Sequence, residues 1–311
     1  MLSFHKPTEF GLTAPPAASS FPVVVLSSRL LGVLPLAWPS PSPELRSHAI
    51  VKRLQLFEFH DLEWFPHSWR IMLTDVLQFS GRAFNPYAPV VDKLKPVLES
   101  LNCHNIVDLC SGGSGPILPL QRLLREKENY PVCVTITDKY PNLDAFRQIR
   151  AESKGTIMAM EAPVDATSPP EDLKGFRTFF TSFHHFDEPA ARQILADAAK
   201  RGAGIGVFEC NRRSLLMHFA MLLSPLFILF ITPWIRPFRW SRLFWTYVIP
   251  VIPLVTAWDG FVSNLRTYSP PELRRLAGSI SQDNFVWDVG EMRTMVIYRV
   301  TYLLGYPKTI T

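Results

Sequence analysis

Acidic residues are missing from one long stretch of this 311-residue chain. The chain carries 27 Asp and Glu against 32 Lys and Arg, yet no acid occurs between Glu209 and Asp259. Ser214–Ile235, inside that stretch, also lacks Lys and Arg. Because charged side chains normally cover the surface of a soluble enzyme, so long an interval without acids indicates a surface that faces something other than water.

Cysteine is scarce, and spacings typical of metal ligands are absent. The four cysteines form no CxxC pair and have no histidine at ligand spacing: Cys103, Cys110, Cys133 and Cys210. We therefore predict no metal site and no disulfide scaffold, and we expect a reducing compartment. The net charge of +5 does not indicate a nucleic-acid partner, although it suits an anionic membrane surface or an acidic ligand.

Residues 1–45 lack an uninterrupted apolar run. Their most apolar part, "FPVVVLSSRLLGVLPLAW", is broken by Ser27, Ser28 and Arg29. It matches neither a membrane span of about 20 apolar residues nor a clean signal peptide. Two interpretations stay open: a poorly ordered tail, or a targeting or membrane-anchoring segment.

Helical patterning comes next, over residues 46–101. Apolar residues recur every three or four positions from His48 to Gly81, which predicts helices on both sides of Pro66. A further helix is predicted over Val90–Leu101.

From residue 102 to residue 311 the pattern changes to short runs rich in Val, Ile, Phe and Thr. The first four, "NIVDLC", "VCVTITD", "FRTFFTSF" and "GIGVFEC", alternate with helical stretches, which predicts a parallel sheet with helices on both faces. Only "GEMR" separates the last two, "FVWDV" and "TMVIYRVTYLL", and so short a link allows only an antiparallel hairpin. The predicted fold is α/β, doubly wound and Rossmann-like.

Ligands of such sheets bind at the carboxyl ends of the strands. The first strand ends in "VDLCSGGSGP", where Asp108 precedes Gly112, Gly113 and Gly115. Glycines let the backbone turn tightly and approach a ligand, and the following helix directs its N–H groups toward an anionic group.

Two further acids follow at intervals of about one strand and helix each. Asp138 ends "VCVTITD" and is placed to accept both hydroxyls of a ribose. Asp165, in "APVDAT", could receive the exocyclic amine of an adenine.

From Asn105 to Leu304, apart from one insertion, the chain resembles the class I S-adenosylmethionine-dependent methyltransferases. The resemblance implies a seven-stranded sheet whose last strand is antiparallel, and S-adenosylmethionine as the cofactor. The glycine loop after Asp108 would then face the methionine part, Asp138 the ribose and Asp165 the adenine.

The glycine loop departs from the usual family pattern, which has Gly two, four and six residues after the first acid. Those positions here hold Cys110, Gly112 and Ser114. A dinucleotide dehydrogenase is the nearest alternative, but it would need G-x-G-x-x-G, whereas the order here is G-G-S-G. The closing hairpin also argues against it.

The end of the fourth strand, "FTSFHHF", corresponds to the place where cofactor and acceptor meet in the family. His184 and His185 lie there and are candidate general bases, since histidine titrates near neutral pH. The competing interpretation is that at least one of them packs or forms hydrogen bonds with a structural role.

The acid-free stretch is an apolar helical insertion between strands five and six, over residues 214–257. Strands on both sides belong to one sheet, so the chain must enter and leave a membrane on the same face. A re-entrant or interfacial helical hairpin therefore fits better than a single span. The alternative is a soluble lid over the acceptor pocket, packed internally or in a dimer.

These observations predict a membrane-associated S-adenosylmethionine-dependent methyltransferase. Its partners would be a small apolar acceptor and a membrane, bound through residues 214–257, without nucleic acid. The alternative is a membrane-bound protein that keeps this fold and does no chemistry.

Overall fold

The computed structural model of the protein describes residues 52–280, 282–295 and 298–308. The predictions for residues 1–45 lie outside this part of the chain. The division into a tail, a helical region and a methyltransferase-like domain stays a prediction.

In the described residues seven strands form one sheet in the order β3-β2-β1-β4-β5-β7-β6. Each of the first four neighbouring pairs is parallel, while β7 runs antiparallel to both β5 and β6. The predicted sheet, with its antiparallel last strand, is therefore confirmed. The strands are β1 (Asn105–Asp108), β2 (Cys133–Ile136), β3 (Ile157–Ala159), β4 (Phe176–Phe180), β5 (Ile205–Glu209), β6 (Phe285–Arg293) and β7 (Arg299–Pro307).

Helices precede, cover and interrupt this sheet. The described residues contain α1 (His67–Phe84), α2 (Val90–Ser100), α3 (Ile117–Arg122), α4 (Leu143–Glu152), α5 (Glu188–Lys200), α6 (Leu215–Ile231), α7 (Trp240–Leu243), α8 (Val251–Arg266) and α9 (Pro270–Gly278). Helix α9 begins with the capping box that the sequence "SPPE" indicates, formed by Ser269 and Glu272.

Two local predictions are wrong. A helix was expected before Pro66, but residues 52–58 are non-helical and only a short 3-10 turn, Phe59–Asp61, follows. The tetrapeptide "GEMR" was expected to link the last two strands, but it forms the end of β6. The hairpin itself is present, with its turn further along the chain.

Successive strand residues point to opposite faces of the sheet, and their side chains therefore pack in two separate hydrophobic cores. Ile106 packs with Leu94 of α2 on one face. Val107 packs with Ile194 of α5 and Leu273 of α9 on the other. This alternation explains why the strands are apolar at nearly every position, as expected for a parallel sheet covered on both faces.

Helices α6, α7 and α8, here called the apolar hairpin, are held against α1. A third core joins Leu73 and Val76 of α1 to Ile228 of α6 and Ile252 of α8. A buried ion pair also joins Asp75 of α1 to Arg242 of α7, with 2.6 Å between Oδ2 and Nη1. The hairpin is therefore packed against α1 through a hydrophobic core and a buried ion pair.

The other side of the apolar hairpin is exposed. On α6, large apolar side chains are between 38% and 69% accessible: Leu215, Leu216, Phe219, Leu222, Leu223, Leu226, Phe227 and Phe230. Within the described residues, Leu215–Trp234 is the one helix long and apolar enough to cross a membrane, and 22% of its most apolar part is buried. The exposed face does not fit an internally packed lid.

Candidate active site

Asp108 fixes the glycine loop to the sheet. It ends β1, is 2% exposed, and accepts hydrogen bonds from Ser111 Oγ at 2.6 Å and from Thr178 Oγ1 of β4 at 2.8 Å. Burial raises the pKa of this carboxyl to about 7, and Asp138 also contributes to the increase. Its contacts give Asp108 a structural role beside the cofactor position that the family resemblance implies.

The loop keeps a left-handed backbone at the three positions where the family commonly has glycine. The φ angles are 59° at Cys110, 53° at Gly112 and 55° at Ser114. A residue with a side chain adopts this region at a cost of about 1–2 kcal/mol. The departure from the glycine pattern therefore adds local strain at Cys110 and Ser114.

The two additional glycines allow α1 to approach the loop closely. A Cβ atom on Gly113 would lie 2.9 Å from the carbonyl oxygen of Thr74, and one on Gly115 would lie 3.0 Å from Cα of Gln78. These backbone atoms cannot move away as a flexible side chain could. Gly113 and Gly115 thus serve helix packing, a role that the sequence pattern did not reveal.

Replacing Cys110 tests the left-handed loop. Cys110→Gly should be more stable than Cys110→Val by about 1–2 kcal/mol, because glycine tolerates a positive φ and a β-branched residue does not. At Cys103, which does not have a positive φ, the order should reverse. Urea unfolding of the four variants measures both differences, and the same order at the two positions would contradict the assignment.

Asp138 connects the end of β2 to the glycine loop. Its Oδ2 accepts the N–H of Gly112 and its Oδ1 accepts the N–H of Tyr140, both at 2.7 Å. Each carboxylate oxygen has a second lone pair, so these bonds leave acceptor capacity for ribose hydroxyls.

Asp165 lies on an exposed loop after β3. Its Oδ1 accepts the backbone N–H of Thr167 at 2.8 Å and the hydroxyl of Thr167 at 2.6 Å, and these bonds lower the pKa of the carboxyl. The loop is therefore held in a local turn that presents this acid to solvent.

The acids of the predicted cofactor site influence the pKa of one thiol in the glycine loop. Burial raises the pKa of the Cys110 thiol well above its usual value, and the charges of Asp138, Asp108, Asp165 and Asp61 raise it further. Hydrogen bonds link the loops that carry the predicted acids. Ser111 bonds to Asp108 and Gly112 bonds to Asp138, and the N–H of Val164, next to Asp165, donates to the carbonyl oxygen of Asp138 at 2.9 Å.

His184 lies beyond β4 and is held by a carboxylate from β5. Glu209 accepts the backbone N–H of His184 at 3.1 Å through Oε1, and its Oε2 lies 2.9 Å from His184 Nδ1. An anionic carboxylate at this distance places the proton on Nδ1 and leaves Nε2 as the basic nitrogen. Both side chains are buried. In the sequence, Glu209 could have been identified from its position at the end of a predicted strand.

His185 lies beside two other carboxylates. Burial lowers its pKa, but the charge of Glu58 and the hydrogen bond that His185 donates to Asp61 outweigh that effect and raise the value to about 9. Its Nδ1 lies 2.8 Å from Asp61 Oδ1 and 3.7 Å from Glu58 Oε2. His185 is therefore a cation at neutral pH and does not suit the predicted role of a base.

Glu58, His184 and His185 have ligand atoms within 4.8 Å of one another, as a metal site requires. Arg266 competes for the same space, with Nη1 3.2 Å from Glu58 Oε1 and 2.5 Å from Asp61 Oδ2. The two histidine rings also stack, with their centroids 4.4 Å apart and 30° between their planes. Arg266 and protonated His185 supply the positive charge here.

No protein-family model matches this sequence, and no curated protein matches it. Solved structures are similar to parts of the chain. An O-methyltransferase family protein from Burkholderia thailandensis is 15% identical, with a TM-score of 0.45 over 76% of this chain and 60% of its own. Human N-acetylserotonin methyltransferase in complex with S-adenosylmethionine is 15% identical, with a TM-score of 0.45 over 78% and 57%.

Magnesium protoporphyrin IX methyltransferase from Synechocystis, with bound S-adenosylhomocysteine, is 12% identical, with a TM-score of 0.41 over 72% of this chain and 84% of its own. The chain thus spans 60% and 57% of the length of the first two proteins.

The strand order β3-β2-β1-β4-β5-β7-β6, with β7 antiparallel to both its neighbours, is itself diagnostic of the fold. The chain has the fold of the class I S-adenosylmethionine-dependent methyltransferases.

Proposed function

We propose that the protein is an S-adenosylmethionine-dependent methyltransferase that acts at a membrane on an oxygen atom of a small apolar acceptor. One observation carries the proposal: the left-handed glycine loop with Asp138 and the His184–Glu209 pair occur at the same edge of the sheet. The first arrangement suits the cofactor, and the second suits removal of a proton from an acceptor.

The residues around the glycine loop fit the proposed cofactor. Asp108 holds the loop, Gly112 is at its centre, Asp138 would accept the ribose hydroxyls, and Asp165 would contact the adenine. When bound, S-adenosylmethionine supplies an activated methyl group on a sulfonium. The protein then has mainly to orient the acceptor, which can contribute about 7–11 kcal/mol to lowering the barrier.

His184 is the proposed general base. Its Nδ1–H is held by Glu209, so Nε2 can accept the proton of an acceptor hydroxyl, and the carboxylate stabilises the imidazolium that forms. An oxygen acceptor needs such a base more than a neutral amine does, since an uncharged hydroxyl is a weak nucleophile. His185 takes a different role, because it is already protonated beside Asp61.

The apolar hairpin supports membrane association and an apolar acceptor. One face of α6 is exposed and apolar, and Trp234 and Trp240 are 57% and 78% exposed near Arg236 at the far end of this helix. Tryptophan and arginine beside an apolar surface are typical of a membrane interface. We propose that the hairpin lies in one leaflet.

A non-catalytic protein with this fold is the second candidate. The substitutions Cys110 and Ser114 in the glycine loop are the feature that favours it. The left-handed backbone of that loop and the His184–Glu209 pair favour the enzyme instead.

Asp138→Ala tests the cofactor part of the proposal. The variant should bind S-adenosylhomocysteine about tenfold to 100-fold more weakly by calorimetry, because a charged acceptor contributes about 1.5–3 kcal/mol to such a contact. Asp172→Ala, which removes an exposed carboxylate ahead of β4, is the matched control and should bind normally. Equal affinity of a folded Asp138→Ala variant would remove Asp138 from the site.

A further inference from the structure

Residues 52–62, here called the strap, have two chemically different sides. Leu54, Leu56 and Phe57 are exposed to 43%, 42% and 51%. On either side of them, Arg53 donates through Nη2 to the carbonyl oxygen of Phe186 at 2.9 Å, and Glu58 is 2% exposed. The strap therefore exposes apolar side chains at its centre, while the polar side chains of Arg53 and Glu58 face the candidate active site.

The strap covers the proposed base. Glu58 Oε1 lies 3.7 Å from His184 Nε2, which has no hydrogen-bond partner in the described structure, and the same oxygen forms an ion pair with Arg266 Nη1 at 3.2 Å. Gln55 Nε2 donates to the carbonyl oxygen of His185 at 3.2 Å, and His184 is 1% exposed. An acceptor cannot reach Nε2 while Glu58 occupies this position, so proton removal by His184 requires the strap to move.

The outer side of the strap continues the apolar surface of the hairpin. The ring of Phe57 lies 5.4 Å from that of Trp258 on α8, and Trp258 Nε1 donates to the carbonyl oxygen of Phe57 at 3.1 Å. Leu254, one turn earlier on α8, is 60% exposed, and Trp64 just beyond the strap is 69% exposed. A surface that contacts the hairpin side of the protein would therefore also contact the strap.

We propose that the strap is a second membrane-binding element, and that insertion of Leu54, Leu56 and Phe57 into the same lipid bilayer as the hairpin withdraws Glu58 from His184. This inference rests on the proposed function, because it supplies the route by which a lipid-dissolved acceptor meets the base. A bilayer is the occupant that fits, since the strap lies beside an exposed apolar surface and the charged side chains between Glu209 and Asp259 are all arginines, which suit anionic lipid headgroups.

Three hydrogen bonds donated by backbone N–H groups of the strap can be used to detect its closed position. The N–H of Leu54 donates to the carbonyl oxygen of Leu265 at 3.1 Å, and the N–H groups of Phe59 and His60 donate to the carboxylate of Asp259 at 2.8 and 3.2 Å. These amides exchange slowly with solvent deuterium only while the strap is closed.

Hydrogen exchange on the full chain, with and without vesicles of phosphatidylcholine and phosphatidylglycerol, tests the inference. We expect exchange at Leu54, Phe59 and His60 to become about tenfold faster or more on vesicle binding, while the core of α5 is unaffected. The triple variant Leu54→Ser/Leu56→Ser/Phe57→Ser should still bind vesicles through the hairpin but should lose this acceleration. Met158→Ser, at an apolar residue 45% exposed on β3, is the matched control and should behave as the wild type.

Vesicle binding with unchanged or slower exchange in the strap would overturn the inference and leave membrane docking by the hairpin intact. The same acceleration in the triple variant would overturn it as well. If the protein did not bind vesicles, the membrane part of the proposed function would fail together with the strap. Calorimetry with S-adenosylhomocysteine reports separately on the cofactor, so the two failures are distinguishable.

Discussion

Replacing Leu226, Phe227 and Phe230 by Ser should release the protein from membranes into the soluble fraction. All three side chains lie on the outer face of α6 and are 66%, 38% and 69% exposed. Full burial of one such side chain contributes about 1.5–3 kcal/mol. Loss of the three should therefore lower the partition coefficient by about 100-fold or more, as measured by vesicle flotation.

The matched control replaces apolar side chains that are exposed elsewhere. Leu143→Ser/Met158→Ser removes two side chains, 40% and 45% exposed, that do not belong to the hairpin, and it should leave flotation unchanged. Because residues 1–45 could anchor the chain independently, the comparison should be repeated on a chain beginning at Ser47. If that shortened wild type were soluble and monomeric without detergent, the membrane proposal would be wrong.

Replacing His184 by Gln should lower methyl transfer by about 100-fold to 10,000-fold, the usual contribution of a general base. Gln keeps a similar shape but has no basic nitrogen to take a proton. Binding of S-adenosylhomocysteine should not change, because the cofactor acids are held by other contacts. Activity is measured as the transfer of a labelled methyl group from S-adenosylmethionine into total lipid, which is extracted from membranes of the organism that produces the protein.

Glu209→Gln is a milder change to the same pair, and its methyl-transfer activity is compared with that of His184→Gln. It keeps an acceptor for the N–H of His184 but removes the charge that stabilises the imidazolium, so its loss of activity should be smaller than that of His184→Gln. Full activity of His184→Gln would exclude a base at this position. An absence of labelled lipid even with the wild type would contradict a lipid-dissolved acceptor.

The sequence was sufficient to predict most of the strands of the sheet. Four strands and the closing hairpin could be predicted because a strand buried on both faces is a short, almost continuous apolar run. The hairpin of α6 and α8 could be located for a related reason, since its composition differs from that of the surrounding surface. Strand β3 was missed: Ile157–Ala159 has only three residues, too few for a pattern.

The strap was mispredicted as helix because its aromatic residues recur at helical spacing around Pro66. In the structure its backbone N–H groups instead donate to Leu265 and Asp259, which are about 200 positions away in the chain. Local periodicity cannot indicate such a choice, because the competing partners come together only after the fold has formed.

The sequence by itself determined the class of fold, the glycine loop and the positions of Asp108 and Asp138 at the ends of two strands, since these depend on local patterns. Only the tertiary structure decided the different surroundings of the two candidate histidines. His184 and His185 are adjacent in the chain, but Glu209 Oε2 lies 2.9 Å from Nδ1 of the first, while Glu58 and Asp61 raise the pKa of the second to about 9. The physical reason is that the pKa of a buried group depends on charges a few ångströms away, and those charges come from distant parts of the chain.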